Sequence, residues 1–454
     1  MKIIIIGDNL TAQAIAHALY QASGDITIIG EDQKNLKKIT SKVNIQTVYG
    51  QYINMQTLHT AECLLAKVVI AATDCTTTNF LLAQMVQKIF QVPKIISLIP
   101  NAVHTHINTI CPRQETSEIT WISPDQTIGN YIANRLHNPQ YRQYSPINKT
   151  NTIICINIGN ITKKSSNSWL KAYLKPSQSF AIIAILRNGK YIAHPEVLRK
   201  NDQIIILCNT KQHLKNTKDI APPKKTRHIM IAGISSITEY LIYKLYPTYK
   251  ITVIETNLEK ATELAQHYPQ LTILEGNIND TELLIAEGID TTDVFLALST
   301  DDENNLVSAL QAITHNVNTI YTLITRPEIS TIIKRNALFC IEPHSILTNQ
   351  IFRTIYHPTL KYHSSLHHDQ GDVIICQIHA HLNGTPIANL EKNLDAQSKI
   401  CLLQRNQDTI TACSHKILQE NDKIIVFCAH AADFHNLMEQ LRAPEENFFF
   451  NMIS

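Results

Sequence analysis

Apolar residues fall along this chain in two rhythms. Short unbroken apolar runs alternate with longer stretches in which apolar positions recur every three or four residues, as buried parallel strands and amphipathic helices do. Residues 2–31, KIIIIGDNLTAQAIAHALYQASGDITIIGE, predict a strand, a turn at Gly7, a helix and a second strand closing at Gly30 and Glu31. Residues 228–255, HIMIAGISSITEYLIYKLYPTYKITVIE, repeat the pattern with Gly233 at the turn and Glu255 at the close. A strand, glycine turn, helix and strand closed by an acid is the opening of a nucleotide-binding βαβ unit.

The repeat extends well past this opening. Gly233 minus Gly7, Gly276 minus Gly50 and Asn305 minus Asn79 each give 226, so two copies of a domain run in register without net insertion. In the first copy VNIQTVYG (43–50), a helix near 56–65, strand KVVIAAT (67–73), a helix after TDCTTTN (73–79) and strand KIISLI complete about five βα units. Handedness rules make such an alternation a Rossmann-like doubly wound parallel sheet.

Each sheet region is followed by one amphipathic helix, opened by Ser-Pro at 123–124 or Glu-Pro at 342–343 and stopped by Pro139 or Pro358. An apolar stripe beside a domain boundary must be covered, so these helices are expected at lobe or subunit contacts. Residues 179–208 and 399–428 then read as short strands joined by turns, Asn188-Gly189 and Asn406-Gln407-Asp408 among them, each with a polar Asn-Asp turn at 201–202 or 421–422. These are small antiparallel α+β lobes. The expected order is a sheet domain over 1–122, helix and lobe over 123–220, a second sheet domain over 226–341, and helix and lobe over 342–445.

Composition narrows the class. Of 454 residues 44% are hydrophobic and 17% charged, and no apolar run approaches the roughly 20 residues that span a bilayer. The start MKIIIIGDN enters a strand directly, without a signal peptide, so a cytoplasmic or peripheral location is expected. The ten cysteines form no CxxC pair and read as reduced, buried side chains. A net charge of +2 without a basic stripe gives no indication of nucleic acid. The basic stretch at 222–225 reads as a linker, and the histidine pairs at 104/106 and 367/368 as surface residues.

A dinucleotide loop needs a glycine at the turn, a second where phosphate approaches, a small residue where helix meets strand, and an acid for the ribose. The first copy, Gly7-Asp8-Asn9-Leu10-Thr11-Ala12, keeps the first glycine and the small residue, but Asn9 replaces the second glycine and Asp8 adds an anion. Its strand ends at Gly30, and Glu31 comes one residue late, facing the other side. Thr73 and Asp74 stand at the carboxyl edge. The second copy, Gly233-Ile234-Ser235-Ser236-Ile237-Thr238, has small hydroxyl residues at the later glycine positions. Glu255 is either the ribose-binding acid or a solvated strand end. Asn277, Ser299 and Thr300 share that edge. Asp301, Asp302 and Glu303 either cap the following helix or contact a ligand, and Arg326 is either a phosphate partner or a surface charge. No catalytic acid-base cluster accompanies these loops, so binding is expected and not an enzyme.

These features together resemble a known family. The tandem order, MKIIIIG, the paired TDCTTTN and STDDENN segments, EGNINDTELLIAEGID, the Asn-Asp turns and the tail Phe448-Phe449-Phe450 are similar to the TrkA-type regulatory subunits of Trk potassium-uptake systems. The resemblance implies two tandem RCK (regulator of potassium conductance) units, each with a Rossmann-like lobe and a small C-terminal lobe. It implies a peripheral protein on the cytoplasmic face of the membrane, assembled as a homo-oligomeric gating ring under a membrane-embedded potassium-translocating subunit. NAD(H) or ATP/ADP would act as a regulatory ligand, held by Gly7 to Thr11 with Thr73 and Asp74, and by Gly233 to Ile237 with Glu255, Asn277, Ser299 and Thr300. The arginine that the family places near Ile99 is absent, while Arg326 remains. Two other classes stay open: a nucleotide-dependent enzyme, and an assembly scaffold that has lost its nucleotide.

Overall fold

The computed structural model describes residues 1–441 except 24, 100–117, 142, 148–150, 159–179, 189, 193–197, 212–216, 218–225, 227, 247, 327, 330–337, 366–370 and 407. The linker at 222–225, both histidine pairs, the second residue of the 188–189 turn, the middle residue of the 406–408 turn and the aromatic tail lie outside the described residues.

The α/β expectation holds. Strands β1 (Ile3–Ile6), β2 (Ile26–Gly30), β3 (Gln46–Tyr49), β4 (Val68–Ala71), β5 (Lys94–Leu98) and β6 (Glu118–Ile122) form a parallel sheet in the order β3-β2-β1-β4-β5-β6. Helices α1 (Leu10–Ser23), α2 (Gln33–Thr40), α3 (Met55–Thr60) and α4 (Thr76–Met85) connect its strands. The linking helix α5 (Pro124–His137) leads to an antiparallel sheet of β7 (Gln143–Pro146), β8 (Asn151–Asn157), β9 (Phe180–Arg187), β10 (Lys190–Tyr191) and β11 (Gln203–Asn209).

The second unit repeats this. Strands β12 (His228–Ala232), β13 (Lys250–Glu255), β14 (Thr272–Glu275), β15 (Val294–Ala297), β16 (Thr319–Leu323) and β17 (Leu338–Ile341) take the same order. They alternate with α6 (Ser236–Leu245), α7 (Leu258–His267), α8 (Thr281–Ala286) and α9 (Asp302–Thr314). Linking helix α10 (Pro343–Ile355) precedes β18 (Leu360–Ser365), β19 (Asp372–Gln377), α11 (Ile387–Glu391), β20 (Lys399–Arg405), β21 (Asp408–Thr411), β22 (Lys423–Cys428) and the closing helix α12 (Ala431–Leu441). The sixth parallel strand of each sheet and the first two strands of each lobe were not legible in the apolar pattern. Glu118–Ile122 alternates polar and apolar residues at a sheet edge and carries no buried run.

The linking helices tie the units together. Ile128, Ile132 and Leu136 of α5 share one buried core with Leu241 and Leu245 of α6, Leu347 and Ile351 of α10, and Ile15 and Leu19 of α1. Close approach of α5 and α6 depends on Gly129, where a Cβ would sit 2.4 Å from Tyr240 Cδ1. The two antiparallel sheets share a further core, in which Ile153, Cys155 and Ile205 meet Tyr362, Val373 and Phe427. In each lobe the Asn-Asp turn is more than polar: Asn201 and Asn421 take positive φ, and Asp202 and Asp422 are buried and paired bidentately with Arg187 and Arg405.

One polar contact also crosses the boundary. Lys94 at the start of β5 donates from Nζ to the carbonyl oxygens of Thr354, Ile355 and His357 at 3.1, 2.9 and 3.2 Å, capping the end of α10. A cation there meets the negative end of the helix dipole and satisfies carbonyls that the helix cannot. Lys94→Met is therefore expected to lower unfolding free energy by about 1–2 kcal/mol in urea titration. An unchanged midpoint would show that solvent serves these carbonyls equally well.

Candidate nucleotide-binding site

In both sheets the order reverses beside the first strand, and the crevice between β1 and β4, or β12 and β15, opens at their carboxyl ends. The glycine of each first loop is required there. Gly7 and Gly233 have φ of +139° and +92°, and a Cβ would lie 2.5 Å from the Ala72 carbonyl oxygen or 2.6 Å from the Ser299 Cα.

An internal staple positions the opposite wall. Asn79 on α4, 2% exposed, accepts from the Thr73 backbone N–H at 2.9 Å and donates to the carbonyls of Thr73 and Leu98, both at 2.9 Å. Asn305 on α9 does the same for Ser299 and Leu323, at 2.8, 2.9 and 3.0 Å. The 226-residue spacing marks these asparagines in the sequence, but not that each joins two strand ends.

The acids of the two crevices are exchanged between loops. In the second unit Glu255 is 6% exposed and not solvated. One carboxylate oxygen accepts from the Ile234 backbone N–H, the other from the Asn257 backbone N–H at 2.8 Å and the Thr256 hydroxyl at 3.2 Å. In the first unit the strand ends at Gly30, and Asp8 of the glycine loop reaches across to accept from the Asp32 backbone N–H at 2.7 Å. A Cβ at Gly30 would lie 2.9 Å from that carboxylate. Each unit thus places one carboxylate between its first two strand ends, supplied from opposite sides.

The surroundings differ as well. Beside Asp8 stands Tyr52, whose hydroxyl is pushed well above its ordinary pKa by burial and by the Asp8 carboxylate it bonds. Its backbone N–H donates to Glu31 at 2.9 Å, which accounts for that late acid. The second unit has buried Ile234 and Ile278 at the positions matching Asp8 and Tyr52 in the 226-residue register.

The remaining candidates separate clearly. Asn9 accepts from the Ala12 N–H at 2.8 Å and donates to the Ala72 carbonyl and to Asp74, joining the two loops of the first crevice. Leu10 is exposed at the start of α1, and Thr11 follows it. Ser235 caps α6, and Ser236 donates to Asp125 of the linking helix α5 at 2.6 Å. Ile237 is buried in the core, whereas Asn277 and Thr300 are exposed at the crevice edge. Asp301 caps α9, as one reading of that acidic run expected. Asp302 does something else: it is 5% exposed and accepts from the backbone N–H groups of Thr325 and Arg326. Arg326 pairs with Asp302 and Glu303 at 3.4 and 3.1 Å, so its charge is already matched within the protein.

The TrkA-N domain family matches residues 3–110 and 229–340. Similar over nearly the whole chain are the Trk system potassium uptake proteins TrkA of Haemophilus influenzae, 25% identical over 99% of this chain and 100% of that protein, and of Vibrio alginolyticus, 22% identical over 94% and 95%. The fold is shared with the crystal structure of the GsuK RCK domain, at TM-score 0.61 and 14% identity over 97% of this chain and 94% of that one. The GsuK channel bound to NAD gives TM-score 0.61 and 15% identity over 97% and 78%.

Two TrkA-N domains in one chain, each followed by an antiparallel lobe, repeat the fold of the GsuK RCK domain. Over nearly its whole length the chain is similar to TrkA potassium uptake proteins. Among the described residues no helix is long and apolar enough to cross a membrane.

The staple generates a prediction. Asn305→Ala leaves one N–H and two carbonyl oxygens at the strand ends without their partner, about 1–3 kcal/mol per buried group. Unfolding free energy is expected to fall by at least about 2 kcal/mol, read by calorimetry or urea, and Asn79→Ala should behave alike. A negligible loss in either variant would mean that neighbouring groups take over these bonds.

Proposed function

We propose that this chain is the regulatory subunit of a potassium-uptake transporter, peripheral on the cytoplasmic face of the membrane. In this reading copies of the chain assemble into a ring beneath a membrane-embedded potassium-translocating subunit. One adenine nucleotide, NAD(H) or ATP/ADP, binds per chain in the second crevice. The relatives' names support the transport role, and the exchange of acids carries the asymmetry between units.

In the second crevice Glu255 stands at the strand end, where a ribose acid belongs, with three acceptor positions occupied of the roughly four a carboxylate offers. One remains for a ribose hydroxyl. Beside it, the helix N-terminus at Ser235 and Ser236 suits phosphate. In the first crevice Asp8 places a negative charge at the phosphate loop, and Tyr52 is bonded to it. Phosphate would meet an anion there, so the first unit serves as structure, with Asp8, Asn9, Glu31, Thr73 and Asp74 engaged in its own loops.

Regulation then follows from the Asp125–Ser236 contact. Asp125 belongs to the first unit's linking helix, yet it sits at the N-terminus of the second unit's α6. A phosphate arriving at that N-terminus competes with the Asp125 carboxylate and biases the position of α5. Only a difference in affinity between the two arrangements can shift a gate, and about 1–3 kcal/mol is typical of such coupling.

Calorimetric titration of the full chain with NAD+, NADH, ATP and ADP tests this reading. A stoichiometry near one per chain is expected, weakened about tenfold or more in Glu255→Gln, the cost of one charge-assisted bond, and unchanged in Asp8→Asn. Two equivalents per chain would overturn the asymmetry. Absence of binding would leave the scaffold reading, in which only assembly survives.

Asp125→Asn supplies a separate check. Removing the competing anion from the helix N-terminus is expected to tighten nucleotide binding about two- to fivefold at low salt, in keeping with a helix-dipole effect of up to about 1 kcal/mol. Weaker binding in that variant would show that Asp125 supports the loop instead of competing with the ligand.

A further inference from the structure

Between the two units lies a cavity of about 1370 Å³, walled by α1, α5 and α10 and by the antiparallel lobes. Its lining includes Arg135 of α5, which is only 2% exposed. The guanidinium carbon stands 5.6 Å from the ring centre of Tyr131, 5.3 Å from Tyr321 and 4.9 Å from Phe339, so a cation of the first unit is caged largely by aromatic rings of the second. Its Nη1 donates to the Tyr131 hydroxyl at 2.9 Å and the Tyr321 hydroxyl stands beside the guanidinium as a second oxygen neighbour, while Nε and Nη2 make no hydrogen bond of ordinary geometry. No carboxylate among the described residues pairs with it.

A guanidinium cannot shed its proton to escape burial. Aromatic faces return about 0.5–2 kcal/mol each, against several for withdrawing an ion from water, and each unpartnered N–H adds about 1–3. The charge is under-compensated where it stands. Other groups on the same wall share the deficit. Arg353 lies 5.9 Å from the Tyr362 ring centre and makes no ion pair among the described residues. Both ring nitrogens of His344 lack partners, and burial pushes its pKa below the ordinary value against an opposing effect of Asp302, which leaves it a neutral hydrogen-bond donor. The acids of the lining are Glu328, Glu342 and Asp372. They lie beside Lys42, the Ser345 hydroxyl and His363 respectively, and none reaches Arg135.

We propose that the cavity between the units is a second ligand site, for a phosphate group, with the Nε and Nη2 edge of Arg135 as its bidentate contact and Arg353 as its second cation. The chemistry is that of planar guanidinium recognition of an oxyanion, in which two parallel N–H bonds meet two oxygens. Leu10 and Arg326, at the rims of the Rossmann-like crevices, also line the cavity, but the contacts proposed here use neither. Because the free edge of Arg135 is buried in the wall, an anion that reaches it displaces part of the packing of α5 against β16 and β17. Phosphate binding here therefore alters the contact between the units.

Inorganic phosphate titrated calorimetrically into the full chain is the test, with Glu255→Gln protein as the background that removes the crevice acid. Saturable binding is expected in both proteins, and Arg353→Gln is expected to weaken it about tenfold. Arg135→Met, which keeps an apolar stem in the aromatic cage, should abolish binding while its phosphate-free unfolding midpoint holds or rises. If Arg135→Met fails to fold, Arg353→Gln decides, since its side chain is partly exposed and its loss is tolerable. Competition with ADP in Glu255→Gln protein separates the sources: displacement identifies a nucleotide phosphate as occupant, and no displacement identifies free phosphate. Absence of saturable phosphate binding, or equal affinity in the wild type and the arginine variants, overturns the site.

Discussion

The shared apolar core formed by the linking helices is the constraint on which the rest of the molecule depends. Helix α5 leaves the first sheet and packs on α6 of the second, while α10 leaves the second and packs against α1 of the first. Neither helix could leave that position without exposing a full apolar stripe, at about 25 cal/mol for every Å² returned to water. The two Rossmann-like sheets are thus held in one arrangement by surfaces that belong to both. Lys94 adds a polar tie across the same boundary by capping α10 from the first sheet.

That constraint gives chemical meaning to features that would otherwise be local. Ser236 opens the first helix of the second unit, but its partner Asp125 comes from the other unit. Arg135 belongs to a linking helix, but two of its three aromatic neighbours come from the other unit. A ligand that changes the charge at either place acts on the boundary and not only on its own pocket.

The two crevices show how duplicated domains diverge while keeping one electrostatic requirement. Both place a carboxylate between the first two strand ends, where backbone N–H groups converge and need an acceptor. The second unit supplies it from the strand, as Glu255, and leaves the loop apolar at Ile234. The first supplies it from the loop, as Asp8, and must then leave the strand end bare at Gly30, because a side chain there would overlap the carboxylate. The paired change keeps the loops joined in both units. It also leaves the first glycine loop with a negative charge that the second lacks.

Much of this was legible in the chain. Unbroken apolar runs and the 3.6-residue period report local burial, so most of the parallel strands, the linking helices at Pro124 and Pro343 and the twofold repeat could be read from residue order and spacing. Gly7 and Gly233 announced their turns because only glycine fits there. The loops also showed that the usual glycines and acid were incomplete. What residue order could not give is which atoms meet across strand ends: Glu255 on the Ile234 N–H, Asp8 on the Asp32 N–H, Asp302 on the Thr325–Arg326 turn, Asn79 and Asn305 between two strands. These contacts join positions six to 24 residues apart, and Asp125 reaches across 111 residues. A sequence records the period of a side chain along its own element. Only the packing of elements decides which buried donor a carboxylate finds, and whether a cation such as Arg135 finds one at all.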